Sequence, residues 1–171
     1  MNFGHKILEY KDELLIDLNT LLGFESVSGE KDDECDKALE FILKRANDFG
    51  LTGEKVTDRS AHVQLGNGGS LCAVLSHLDV VPAGNNWSVA PYALTDKDGR
   101  LFGRGIADDK GAALVTLYCM RALRENNVEG KNTIRAVYGT SEETGMEDMD
   151  GYFAKQPYPD LAFTPDSDYG I

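Results

Sequence analysis

Apolar residues at Ile7, Leu8, Tyr10, Leu14, Leu15, Leu18, Leu21 and Leu22 recur at helical spacing, so roughly the first 20 residues read as one amphipathic helix. Gly23 to Gly29 breaks the pattern, and Ser28 is placed to cap a second helix. The next periodic stretch predicts that helix from about Lys31 to Asn47, closed by Gly50. Val56 to Gln64 has extended character, and Gly66, Gly68 and Gly69 form a turn cluster. Leu71 to Leu75 is an unbroken apolar run, as in a strand buried on both faces. Asp96-Lys97-Asp98-Gly99 reads as a hairpin turn leading to Leu101 and Phe102. Ala112, Leu114, Val115, Leu117, Tyr118 and Leu123 mark a helix over Lys110 to Glu125. Thr133 to Tyr138 predicts a strand, Met146 to Lys155 a short helix, and Asp160 to Thr164 a last short strand. Alternating helices and strands point to an α/β sheet covered on both faces, where ligands sit beyond the carboxyl ends of the strands.

The 171 residues suit about one domain, and 42% hydrophobic with 27% charged residues excludes wholesale disorder. Acidic residues outnumber basic ones, 29 to 17, for a net charge of −12. That balance argues against nucleic acid and anionic membranes, which need clustered Lys and Arg, and suits carboxylates that hold cations. No segment approaches the ~20 apolar residues of a membrane span. Met1 to Asp17 lacks the plan of a secretory signal, so a cytoplasmic location is expected. Cys35, Cys72 and Cys119 are far apart and form no CxxC pair, which points to free buried thiols rather than disulfides or a thiolate zinc site.

Four segments carry candidate chemistry, and each comes after a predicted strand or hairpin. In Ser76-His77-Leu78-Asp79-Val80-Val81-Pro82, the two-residue period puts His77 and Asp79 on one face. That suits a metal-ligating His with a carboxylate fixing its tautomer, or merely a capped strand end with a solvated His. In Gly103-Arg104-Gly105-Ile106-Ala107-Asp108-Asp109-Lys110-Gly111, the paired acids are either helix caps, Asp109 above all, or a cation ligand at Asp108. Neither a dinucleotide fingerprint nor a phosphate loop is completed there. Glu142-Glu143, within Gly139 to Gly145, is either a solvated acidic loop or a ligand beside a general base. Asp166, within Phe163 to Asp168, is a carboxylate just past a strand, and an Asx turn looks the same. Other features are weaker. Asp96-x-Asp98-Gly99 echoes only part of a calcium loop, Ser141 is in no nucleophile elbow, and His5 and His62 read as ordinary surface or strand histidines. Taken together, one His and several carboxylates converge after strands and would repel one another without a cation; nitrogen and oxygen donors suit zinc, with cobalt or manganese also allowed.

Ser76–Pro82, Gly103–Gly111, Glu142–Gly145 and Pro165-Asp166 resemble, in order and spacing, the motifs of the dinuclear-zinc metallopeptidase family of aminoacylase, glutamate carboxypeptidase, succinyl-diaminopimelate desuccinylase and carnosinase. Trp87, Pro91 and Asp98-Gly99 add to the likeness. Gly145–Met149, Tyr152-Phe153 and Phe163–Ile171 are most similar to the bacterial carnosinase-type (PepV-type, Xaa-His) dipeptidases. The resemblance implies a mixed, mostly parallel sheet flanked by helices, a zinc-exopeptidase-like catalytic domain. It implies one zinc on His77 and Asp166, Asp108 bridging to a second zinc on Glu143, Asp79 orienting His77, and Glu142 as general base. It also implies a cis peptide at Asp108–Asp109 and a dipeptide substrate.

Ser76 stands where the family commonly has Gly. Family members are also considerably longer, with a lid or dimerisation domain after the Pro-Asp motif and a return segment that supplies a second His. Residues 1–171 are therefore expected to be the N-terminal part of a catalytic domain, incomplete and weakly active or inactive alone. An exposed sheet edge favouring self-association is expected with it. A deacylase or desuccinylase of the same family, and a non-catalytic metal-binding module, remain alternatives.

Overall fold

In the computed structural model, which describes residues 3–128 and 130–166, the N-terminal periodic stretch is two helices rather than one. Helix α1 (Phe3–Leu8) ends in a turn at Glu9–Tyr10, and α2 (Lys11–Gly23) starts afresh. Tyr10 takes the N-cap position of α2. Its ring packs against Tyr118 at a centroid distance of 6.0 Å, with the Arg121 guanidinium 4.3 Å above it. The apolar period runs on through this break, so spacing alone conceals it. Helix α3 (Asp32–Asp48) lies where expected, but Lys31 rather than Ser28 occupies its N-cap, with no side-chain bond. Asp32, Asp33 and Glu34 complement the dipole in its first turn.

The extended stretch over Val56–Gln64 falls in a hairpin that starts earlier: β1 (Thr52–Thr57) and β2 (Ser60–Leu65) pair antiparallel. Next come β3 (Leu71–His77), the small hairpin β4 (Thr95–Lys97) and β5 (Arg100–Phe102), and α4 (Lys110–Glu125). After these stand β6 (Thr133–Gly139), one 3-10 turn at Glu142–Thr144, α5 (Glu147–Phe153) and β7 (Leu161–Phe163). The main sheet has the order β1-β2-β6-β3-β7. β3 is parallel to β6 and β7, whereas β2 is antiparallel to β1 and β6, so only β2 runs against the rest. This is the mixed, mostly parallel sheet flanked by helices that the motifs implied. Pairing from Leu71↔Thr133 to His77↔Gly139 brings β3 and β6 to their carboxyl ends level with each other.

Side-chain alternation sorts the two faces. Ala61, Val63, Ala136 and Tyr138 turn towards α2, α3 and α4 and close the main core with Leu21, Leu39, Ile42, Leu114 and Leu117. The other face is thinner: Val56, Ala73 and Val137 lie with Tyr152 of α5, flanked by Leu75, Met149 and Phe153. His62 belongs to this second face; of the two sequence readings, surface or strand, the strand one holds, and the ring is buried. Its Nδ1 lies 3.1 Å from the Tyr152 hydroxyl, which accepts a hydrogen bond of 3.2 Å from Arg135 Nη1. β7 is an edge strand paired to β3 alone among the described residues, and its Leu161 and Phe163 are 67% and 63% exposed. The three cysteines are free; Cys35 is buried, and Cys72 and Cys119 are half-buried. Among the described residues, no helix is long and apolar enough to cross a membrane.

Candidate metal centre

The chain just past β3 is held from the side. Val80 N–H donates to the Ser26 carbonyl at 2.9 Å, and the Ser26 hydroxyl donates to the Leu78 carbonyl at 2.6 Å. Here His77 is buried at the strand end. Its Nδ1 lies 3.0 Å from the Asp79 carbonyl oxygen and 3.3 Å from Asp79 Oδ1. A carbonyl can only accept, so Nδ1 carries a hydrogen and Nε2 is the atom offered outward. Nε2 faces Asp108 Oδ1 at 2.9 Å, Asp166 Oδ2 at 3.5 Å and Glu142 Oε2 at 4.0 Å.

Asp79 is fully buried and does more than meet the imidazole. Its Oδ1 accepts the Glu142 N–H at 3.3 Å and its Oδ2 the Glu143 N–H at 3.1 Å. One carboxylate thus joins the end of β3 to the acidic turn after β6. The Asp108–Asp109 peptide is cis, as the motif resemblance implied. Asp109 stands at the N-cap of α4 but makes no capping bond, contrary to the capping expectation. Its carboxylate turns back to β3, where Oδ2 accepts the His77 N–H at 3.2 Å. Lys110 is fully buried, and its Nζ donates to the carbonyls of Leu21 (3.0 Å) and Phe24 (2.7 Å), tying the start of α4 to the end of α2. Sequence reading did not single out this lysine; nothing in its spacing tells it from a surface helix lysine.

The structure brings the predicted residues to one place. His77, Glu142 and Asp166 form one group, and His77, Asp108 and Glu143 another; within each, the ligand atoms lie within 4.8 Å of one another. Asp79 lies directly behind the imidazole. Ser167 and Asp168, from the fourth candidate segment, fall outside the described residues. His62 joins neither group, and Asp96 and Asp98 stay with the β4–β5 hairpin. A cavity of about 510 Å³ adjoins His77, Glu142 and Asp166, with Leu75, Met149 and Phe163 on its apolar side.

The electrostatics match the crowding. Burial disfavours a charged His77, but the hydrogen bond and charge of Asp79, helped by Asp166 and Asp109, outweigh it and push its pKa up to about 10. Burial likewise works against ionised Asp79, yet the bonds from His77 and Ser28 hold its pKa below the usual range. Glu143 and Asp166 are both raised, first by burial and then by the negative charge of Asp108. Burial lifts Asp109 to about 6. Carboxylates outnumber the one imidazole they share, and a divalent cation relieves that imbalance. One ring nitrogen with several carboxylate oxygens is a donor set that fits zinc, cobalt or manganese.

Comparison with known proteins places the chain in a family. Residues 73–169 match the sequence profile of peptidase family M20/M25/M40. Proteins of Staphylococcus aureus strains USA300 and N315, each named "Putative dipeptidase", are 31% identical to the chain over 172 aligned positions, 96% of this chain and 37% of theirs. The chain therefore spans well under half the length of these relatives. The crystal structure of human carnosine dipeptidase 1 superposes with a TM-score of 0.82 at 22% identity, covering 98% of this chain and 41% of that one. The di-peptidase Dug1p of Saccharomyces cerevisiae gives 0.79 at 19% identity, covering 90% and 37%. These structural likenesses establish the fold, and the profile match over residues 73–169 establishes that the chain belongs to peptidase family M20/M25/M40.

Proposed function

We propose that this chain is the N-terminal, metal-binding part of a dipeptidase catalytic domain, and that the full-length protein hydrolyses the peptide bond of dipeptides. The observation that carries the reading is the convergence of His77 Nε2 with the carboxylates of Asp108, Glu142, Glu143 and Asp166 at the ends of parallel strands. The dipeptidase names of the S. aureus relatives support the choice of substrate. In this reading His77 and Asp166 would hold one zinc and Glu143 a second, with Asp108 available to both. Cobalt and manganese suit the same donors. When bound, the ions supply Lewis-acid polarisation of the scissile carbonyl and make water acidic enough to attack it.

The chain's own residues do the rest. Asp79 keeps hydrogen on His77 Nδ1, so that Nε2 stays a ligand. Glu142, partly exposed beside His77 and Asp166, accepts a proton at its carboxylate and returns it to the leaving amine. The remaining ligand of the second ion and the groups that grip the substrate come, in this reading, from the part of the relatives beyond the matched third. Zinc loading followed by elemental analysis tests the centre: the chain takes up metal and His77→Ala takes up less, because the ion shared with Asp166 loses its nitrogen donor. Metal uptake indifferent to His77→Ala refutes the centre. In the longest natural reading frame containing this chain, Glu142→Ala lowers dipeptide turnover about 10²–10⁴-fold. Turnover that survives it refutes the general base.

A further inference from the structure

From the end of β6 into the 3-10 turn, four consecutive backbone N–H groups, those of residues 140–143, donate to buried carboxylates. Those of Glu142 and Glu143 go to Asp79. Those of Thr140 and Ser141 go to Asp148 Oδ2, at 2.6 and 3.1 Å. Asp148 is 4% exposed. Its second oxygen accepts its own helix's Met149 N–H at 2.8 Å, and its N–H donates to Ser141 Oγ at 3.1 Å, closing a ring between α5 and the turn. The seat is shaped for the carboxylate: a Cβ at Gly139 would come within 2.2 Å of Asp148 Oδ2, so the last residue of β6 is one that has none.

A buried carboxylate is costly unless several donors meet it, and here backbone amides do so. The turn they fix carries two adjacent glutamates of like charge, Glu142 and Glu143. We propose that Asp148 is a positioning residue. It pins the backbone at 140–141 as Asp79 pins it at 142–143, so that Glu142 and Glu143 keep their bearing on His77. The inference rests on the metal-centre reading above. Position alone shows Asp148 only as an acid in a helix's first turn.

The test uses the 171-residue chain, cobalt(II) alone as probe, and the variants Asp148→Asn and Asp148→Leu. The amide oxygen of asparagine can still take both N–H groups; leucine leaves them orphaned at similar volume. The leucine variant is expected to bind cobalt at least about tenfold more weakly, the range seen when partners behind metal ligands are lost, with an altered visible spectrum and unchanged far-ultraviolet dichroism. The asparagine variant stays near the parent affinity and spectrum. Equal affinity and spectra in all three overturn the proposal. No cobalt binding by the parent chain overturns the metal centre instead. Hydrogen exchange of the Thr140 and Ser141 amides in the parent decides if the leucine variant does not fold or if cobalt does not bind. Protection equal to that of β6 supports the clamp, and exchange at open-loop rates overturns it.

Discussion

Acid should loosen the α5 face of this protein through one residue, His62. The ring is buried on β2, with Tyr152 of α5 against Nδ1, Arg135 of β6 beyond that hydroxyl, and Glu54 of β1 3.6 Å from Nε2. Burial first, and then the Arg135 charge, push its pKa from 6.5 down to about 4. The unfolded chain therefore binds a proton between these values that the folded chain refuses. The contribution is complete above pH 6.5, shrinks as pH falls through the window, and stops shrinking below about 4. At 1.36 kcal/mol per pH unit, a shift of two to three units corresponds to about 2–3 kcal/mol over pH 7 to 4. The assay is urea unfolding at pH 7, 6, 5 and 4 for the parent and for His62→Gln. Other groups titrate in both proteins, so the quantity read is the difference between the two curves. The parent is expected to lose about 2–3 kcal/mol more than the variant over this range. Superimposable pH dependences would refute the reasoning. Because α5 also carries Asp148, the same acid range should raise hydrogen exchange at Thr140 and Ser141.

Packing sets two further outcomes. Gly139→Ala must move the Asp148 carboxylate or the Met149 methyl, which would lie 2.2 and 3.1 Å from the new Cβ, so a loss of about 1–3 kcal/mol is expected in thermal or urea unfolding. Unchanged stability would show that the carboxylate seat is loose. The single-sided edge of β7, with Leu161 and Phe163 exposed, should drive self-association of the 171-residue chain, and Phe163→Lys should suppress it. Sedimentation velocity checks this; a parent chain monomeric at high concentration refutes it.

Much of the fold is legible because period and punctuation agree. The Lys110–Glu125 helix has both a clear apolar stripe and clear ends, and it occurs with those bounds. The apolar run from Leu71 became a strand that extends to His77 itself. What the pattern hid has physical reasons. β1 is an edge strand with most side chains facing solvent, so Thr52–Lys55 shows no alternation. The break at Tyr10 depends on a ring packing against α4, a contact distant in sequence. The site was legible in its residue types and their place after strands, and their order and spacing resembled one family. Apart from Asp79, placed on the His77 face by the two-residue period, the sequence was silent on the supports. Asp109 looked like a cap until its carboxylate was seen under His77, and Asp148 and Lys110 carry no local mark of burial.

Asp79 has no contact with solvent, yet it is bonded both to the ring at 77 and to the amides at 142 and 143. It works like a keystone set behind the visible stones. Surface drift around the rim can change charge and shape without shifting the inner geometry, whereas any redesign that recasts the centre must begin with this concealed acid.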